Sequence, residues 1–114
     1  MSKATRSIRA LPAAVDQTLR ALGRDISIAR KRRRMPQRVL AERMMVNVET
    51  VQRLENGDPG VSIGIIATAL WALGMLRRLE KLVSPESDTI GQAEEIRRLP
   101  RTVHSPEPGS GLDF

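Results

Sequence analysis

Gln37-Arg38-Val39-Leu40-Ala41-Glu42-Arg43-Met44-Met45-Val46-Asn47-Val48-Glu49-Thr50-Val51-Gln52-Arg53-Leu54-Glu55-Asn56-Gly57 decides the fold. It reads as a short helix, a three-residue turn and a second short helix closed by glycine. Leu40, Ala41 and Met44 mark the inner face of the first helix. Met45-Val46 makes the turn, with Val46 tucked under. Asn47 suits an N-cap, because its side-chain oxygen can accept an unpaired amide of the first turn. Val51 and Leu54 sit three apart and point inward. At about 100° per residue, Val48, Glu49, Gln52 and Arg53 then share the opposite side. A helix held from behind with a polar row in front has the geometry for reading a DNA major groove.

Outward from this unit, the N-terminal side is basic. Of the 114 residues, 1–34 hold ten Lys/Arg against two Asp, a balance of +8. Residues 35–83 carry +1 and residues 84–114 carry −3, which together make the net +6. A basic front and an acidic back suggest a polyanion at one end and a different partner at the other. The chain has no cysteine, so no disulfide framework or thiolate metal site, and a single histidine, His104. With no tyrosine and no glycine-rich phosphate loop either, no catalytic site, cofactor, metal or small-molecule substrate is expected. Trp71 and Phe114 are the only aromatics, too few to stack single-stranded bases in a row. No apolar run reaches membrane-spanning length, and the N-terminus lacks a signal-peptide core, so a cytoplasmic protein with no membrane contact is expected.

Met1–Ala13 reads as a flexible basic arm, which either lies along phosphates or a minor groove or serves as a solubilising tail. Val15, Leu19, Leu22, Ile26 and Ala29 follow 4-3-4-3 spacing, an amphipathic helix over about 14–32 that Gly23 weakens by about 1 kcal/mol. It runs into Arg30-Lys31-Arg32-Arg33-Arg34, which suits either the helix dipole and solvent or DNA phosphates. Arg30 lies nearest the buried side, so it is a candidate for a structural partner. Pro36 fits a first helical position. Gln37 then stands at a helix N-terminus, where amides can meet a phosphate. Asp58-Pro59-Gly60 is a loop, and Ser62 caps a helix from Ile63 to about Leu73. That helix is apolar nearly all round. Ile63, Ile66, Leu70 and Leu73 face the core, while Ile65, Ala69, Ala72 and Leu76 form a second stripe, with Trp71 beside it. Either a two-fold partner or the chain's own C-terminal helix covers that stripe. Met75, Leu76, Leu79, Leu82 and Val83 make a short fifth helix, and Ser84-Pro85-Glu86 opens a sixth ending near Leu99. Residues 101–114 are expected to be disordered alone. The domains expected are an arm (1–13), a helical DNA-binding domain (14–83) and a C-terminal helix with a tail (84–114).

Gln37, Leu40, Ala41, Val46, Asn47, Thr50, Val51, Leu54, Glu55 and Gly57 stand at a spacing that resembles the helix-turn-helix of the lambda-repressor/Cro-like, or XRE, family. The resemblance covers about residues 15–76. Met45 departs from it, standing where the family usually has glycine, and so does Pro36, where it usually has Ser or Thr. The resemblance implies an all-α, five-helix lambda-repressor-like domain, here with a short C-terminal helix and flexible tails. It also implies that Gln37 contacts DNA backbone or a base edge. Asn47, Val48, Glu49, Gln52 and Arg53, with Thr50 among them, would face the groove. Arg53 can donate twice to guanine and Gln52 can pair bidentately with adenine. Glu49 can accept from a cytosine amino group or reject phosphates, and Val48 can touch a thymine methyl. The family pairs a helix-1 arginine with the glutamate before the closing glycine, which here implies Arg30 with Glu55. Lys31, Arg32, Arg33 and Arg34 are then left for phosphates.

Asn56-Gly57-Asp58-Pro59-Gly60-Val61-Ser62-Ile63-Gly64, Leu70-Trp71-Ala72-Leu73-Gly74, the acidic segment and the Leu99-Pro100-Arg101 end resemble the HipB-like antitoxins. These repress their own operon and bind a HipA-like kinase toxin. The leading expectation is therefore a homodimeric repressor on a palindromic operator in double-stranded DNA, doubling as the antitoxin of a HipA-like kinase. A stand-alone XRE-family regulator, or a protein-interaction module that has lost DNA binding, are the alternatives.

Overall fold

The computed structural model describes residues 11–100, and the expectations for 1–10 and 101–114 lie outside them. The described chain is all-helical: α1 Ala13–Arg32, α2 Gln37–Met44, α3 Val48–Glu55, α4 Ile63–Ala72, α5 Leu76–Glu80, a 3-10 turn Pro85–Ser87, and α6 Thr89–Arg97. It divides into two compact units between Glu80 and Lys81, ahead of the 83/84 boundary expected.

In the first unit the core is built from one face of each helix. Ile26 and Ala29 come from α1, Leu40, Ala41 and Met44 from α2, Val51 and Leu54 from α3, and Ala69 from α4, with Met35 and Leu73 beyond the ends of α1 and α4. Leu40 and Val51 are fully enclosed. Helices as short as α2 and α3 are marginal alone, so this shared burial is what keeps them folded.

Four successive helices end the same way. A residue takes the left-handed conformation, and the next N–H reaches back five residues: Met35 to Arg30, Val46 to Ala41, Asp58 to Arg53 and Met75 to Leu70. Gly57 and Gly74 fill the left-handed position at α3 and α4, with φ of 75° and 78°. At α1 and α2 it is held by Arg34 and Met45, with φ of 53° and 59°. The turn after α2 thus keeps a glycine-like conformation without a glycine, and Met45 projects into solvent. After three of the four turns the next side chain, Met35, Val46 or Met75, packs into the core or against it. Pro36 precedes the first residue of α2 as an extended N-cap, one step earlier than the first helical position expected.

Gly23 has a role the spacing did not show. A Cβ there would lie 2.5 Å from the Glu55 carbonyl oxygen and 2.8 Å from the Gly57 nitrogen. Reciprocally, a Cβ on Gly57 would lie 2.6 Å from the Arg20 Cα. Two glycines let the backbone of α1 touch the end of α3, which fixes the height at which α3 sits on the domain.

The α4 surface also differs from the stripe expected. Ala69 is 0% exposed and belongs to the core, and Ile65 and Ala72 are half-buried against it. Ile63, expected to face the core, instead points outward, because it stands in the first turn of α4 away from the packed helices. With it, Trp71 (61% exposed) and Leu76 at the start of α5 are the outward apolar residues. On a helix apolar all round, the small residue goes where packing is closest.

α5 is shorter than expected; Leu82 and Val83 lie beyond it and are exposed. In the second unit, Pro85 opens only a 3-10 turn. α6 starts afresh at Thr89 because the Asp88 carboxylate accepts the Gly91 N–H at 2.9 Å. Ile90, Ile96 and Leu99 are exposed on this segment.

Candidate nucleic-acid interface

The candidate interface is the outer side of α3. Val51, Leu54 and Glu55 bury its inner side, and Val48, Glu49, Gln52 and Arg53 are exposed on the other. The helix starts at Asn47, whose Oδ1 accepts both the Thr50 N–H (2.9 Å) and the Thr50 hydroxyl (2.8 Å). That leaves the Asn47 amide group to donate outward, whereas Thr50 is half-buried with its hydroxyl proton already committed.

Behind α3 lies a buried ion pair. Arg30 Nε meets Glu55 Oε2 at 2.6 Å and a terminal Arg30 nitrogen meets Oε1 at 3.0 Å, with the side chains 8% and 6% exposed. The other terminal nitrogen donates to the Met35 carbonyl at 2.8 Å. One guanidinium therefore joins α1, the turn into α2, and α3. Burial pushes the Glu55 carboxyl up, but the hydrogen bonds from Arg30 and Gln37 and the Arg30 charge bring it below its ordinary range.

Gln37 belongs to this support. Its Nε2 donates one N–H to Glu55 Oε1 at 2.9 Å, which leaves the second N–H and the amide oxygen for the groove that Gln37 lines. The first N–H groups of α2 still lack intrahelical acceptors, as at any helix start. The role of Gln37 comes from Glu55 having two oxygens to satisfy, which the spacing of residues along α2 does not reveal.

Arg53 is also engaged. Its Nε donates to Asp58 Oδ2 at 2.7 Å, and Asp58 Oδ1 accepts the Gly60 N–H at 2.7 Å. The Arg53 hydrogen bond, foremost, and that from Gly60 hold the Asp58 carboxyl below its ordinary range, against a smaller opposing effect of burial. In sequence Asp58 is a loop residue, and its distance of five residues from Arg53 across a helix end is the one signal of the pairing.

Lys31, Arg32, Arg33 and Arg34 are all exposed at the end of α1. Arg33 donates to the Ala29 carbonyl at 2.7 Å and so closes its own helix, while Arg34 forms the left-handed turn. A shallow groove beside α3 is lined by Arg24, Ser27, Ile28, Lys31, Gln37, Gln52 and Asn56, with the Arg30–Glu55 pair at its base. Arg24 and Ile28 lie off the 4-3-4-3 positions of α1, so the apolar spacing does not mark them. The seven-residue step from Arg24 to Lys31 puts both cations on one side of α1.

Comparison of the chain with family models, with curated proteins and with solved structures finds no match in any of the three. Among the described residues no helix is long and apolar enough to cross a membrane.

Proposed function

We propose that the chain is a sequence-specific, DNA-binding transcriptional repressor of the lambda-repressor/Cro-like kind. It acts in the cytoplasm as a homodimer on a palindromic operator and carries no enzymatic activity. One observation carries this reading. α3 is fixed from behind by Val51, Leu54 and the buried Arg30–Glu55 pair, and its opposite side offers Val48, Glu49, Gln52 and Arg53 to solvent. Gln52 supplies the donor–acceptor pair suited to adenine, and Arg53 the two donors suited to guanine. Arg24 and Lys31–Arg34 supply cations for the flanking phosphates. Ile63, Trp71 and Leu76 offer the apolar surface for a two-fold contact.

The same proposal makes the chain an antitoxin of the HipB type. Its support is the second unit, where Ile90, Ile96 and Leu99 stand exposed in a segment that also carries Glu86, Asp88, Glu94 and Glu95. Such a surface suits a protein partner better than a polyanion, and the partner proposed is a HipA-like kinase. Co-expression with the product of the neighbouring gene tests this half: a stable complex with a kinase-like protein supports it, and no complex leaves a stand-alone regulator.

The DNA-binding half is tested by enrichment from a pool of random duplexes. Wild type should enrich a palindrome with half-sites about one helical turn apart. Its affinity should fall steeply with salt, because phosphate contacts release counterions. No enriched sequence and a flat salt dependence would leave only a protein-interaction role.

A further inference from the structure

We infer that Asp58 is a positioning residue that clamps Arg53 in the orientation for reading a guanine, an inference that rests on the DNA-reading proposal above. Arg53 stands in the last turn of α3 with its side chain half-exposed. A free arginine there would sweep several rotamers. Here the left-handed turn at Gly57 and the bond from the Asp58 N–H to the Arg53 carbonyl (3.0 Å) place the Asp58 backbone directly beyond the helix end. The Gly60 N–H fixes one carboxylate oxygen at 2.7 Å, and the other takes the Arg53 Nε–H at 2.7 Å. Each oxygen has its own task, so the carboxylate can neither turn nor slide without losing a hydrogen bond.

The pairing leaves the chemistry guanine needs. A guanidinium has five N–H donors in a planar fork. One of them, on Nε, goes to Asp58, and the terminal nitrogens make no hydrogen bond to other described residues. Two of their N–H groups match O6 and N7 of guanine in the major groove. Adenine offers a donor where guanine has O6, so it meets this edge badly. The pair is also nearly neutral as a unit, and the Asp58 carboxylate repels a phosphate placed beside it. Both facts favour a base over the backbone as the Arg53 target.

The test is enrichment from a random duplex pool by the full chain, carried out with wild type, Asp58→Asn and Arg53→Lys. Asparagine has one oxygen where two are needed, so it holds either Gly60 or Arg53 but not both. The expected result is that D58N enriches the wild-type motif except at one guanine per half-site, where preference over adenine drops about tenfold. R53K, which has no planar fork, should lose the same position. The slope of affinity against salt should not change in D58N. An unchanged D58N motif overturns the inference, as does an even loss of affinity across all sequences, which would mark Arg53 as a phosphate contact. If wild type enriches no motif, the DNA-reading proposal itself falls, and the role of Asp58 with it.

Discussion

Replacing Glu55 by glutamine keeps the shape of the side chain and removes its charge from a position where the partner cannot reach water. In the native protein the two Glu55 oxygens receive three hydrogen bonds, two from Arg30 and one from Gln37. In E55Q one oxygen becomes an amide nitrogen, so a donor faces a donor. Losing one charge-assisted hydrogen bond costs about 1.5–3 kcal/mol. The Arg30 guanidinium, 8% exposed, also loses its countercharge, which brings the total to about 3–5 kcal/mol. Against a total stability of about 5–15 kcal/mol for a small domain, that is a large share. The assay is urea unfolding followed by far-UV circular dichroism. Asp16→Asn serves as the control, because the Arg20–Asp16 pair is exposed and should contribute less than about 1 kcal/mol. The pair also sets a pH dependence. The Glu55 carboxyl lies below its ordinary value of 4.5, so its contribution is complete above pH 4.5 and is lost as pH falls through the depressed folded value. E55Q should remove that part of the acid sensitivity. A double variant Arg30→Met, Glu55→Leu should recover much of the loss, since an apolar pair leaves no buried charge. If E55Q costs no more than the Asp16→Asn control, the pair does not brace α3 and the reasoning fails.

Two further substitutions test the backbone. Met45→Gly should stabilise the protein by about 0.5–1 kcal/mol in the same assay, because left-handed strain of about 1–2 kcal/mol outweighs the entropy cost of glycine. An outcome of no change or a loss would mean that Met45 is not strained at φ 59°. Gly23→Ala should destabilise by about 1–3 kcal/mol despite the better helix propensity of alanine, since the new methyl meets the Glu55 and Gly57 backbone. A stabilised G23A would show that α1 and α3 separate freely.

Much of the first unit is legible in sequence because its helices carry their own boundary signals. Asn47 and Ser62 cap α3 and α4 through their side chains, and Gly57 and Gly74 close them. The 4-3-4-3 spacing places α1 over 14–32 against Ala13–Arg32 in the structure. Where the expectation missed, two local readings competed. Gly23 looks like a weak point along α1, and only the approach of α3 shows why a side chain is excluded. Ala69 and Ile65 each fit two faces of an apolar helix, which periodicity cannot separate. Leu82 and Val83 continue an apolar pattern past the end of α5 but find no core to bury in. Pro85 looks like a helix start, yet the Asp88 cap restarts the chain three residues later. At the candidate interface, the exposed row on α3 follows from spacing alone. The partners of the residues around it, Asp58 for Arg53 and Glu55 for Gln37 of α2, depend on side chains meeting across a turn or between helices.

The most direct test of the central proposal is the ratio of affinities for the enriched duplex and a random duplex, measured near 0.15 M salt for wild type and for Gln52→Ala/Arg53→Ala. Wild type should prefer its sequence by about a thousandfold or more. The double variant should keep its helical spectrum and its weak, salt-dependent binding to any duplex while that preference collapses toward unity. A double variant that still prefers the wild-type sequence would contradict the assignment of the α3 surface as the DNA reader.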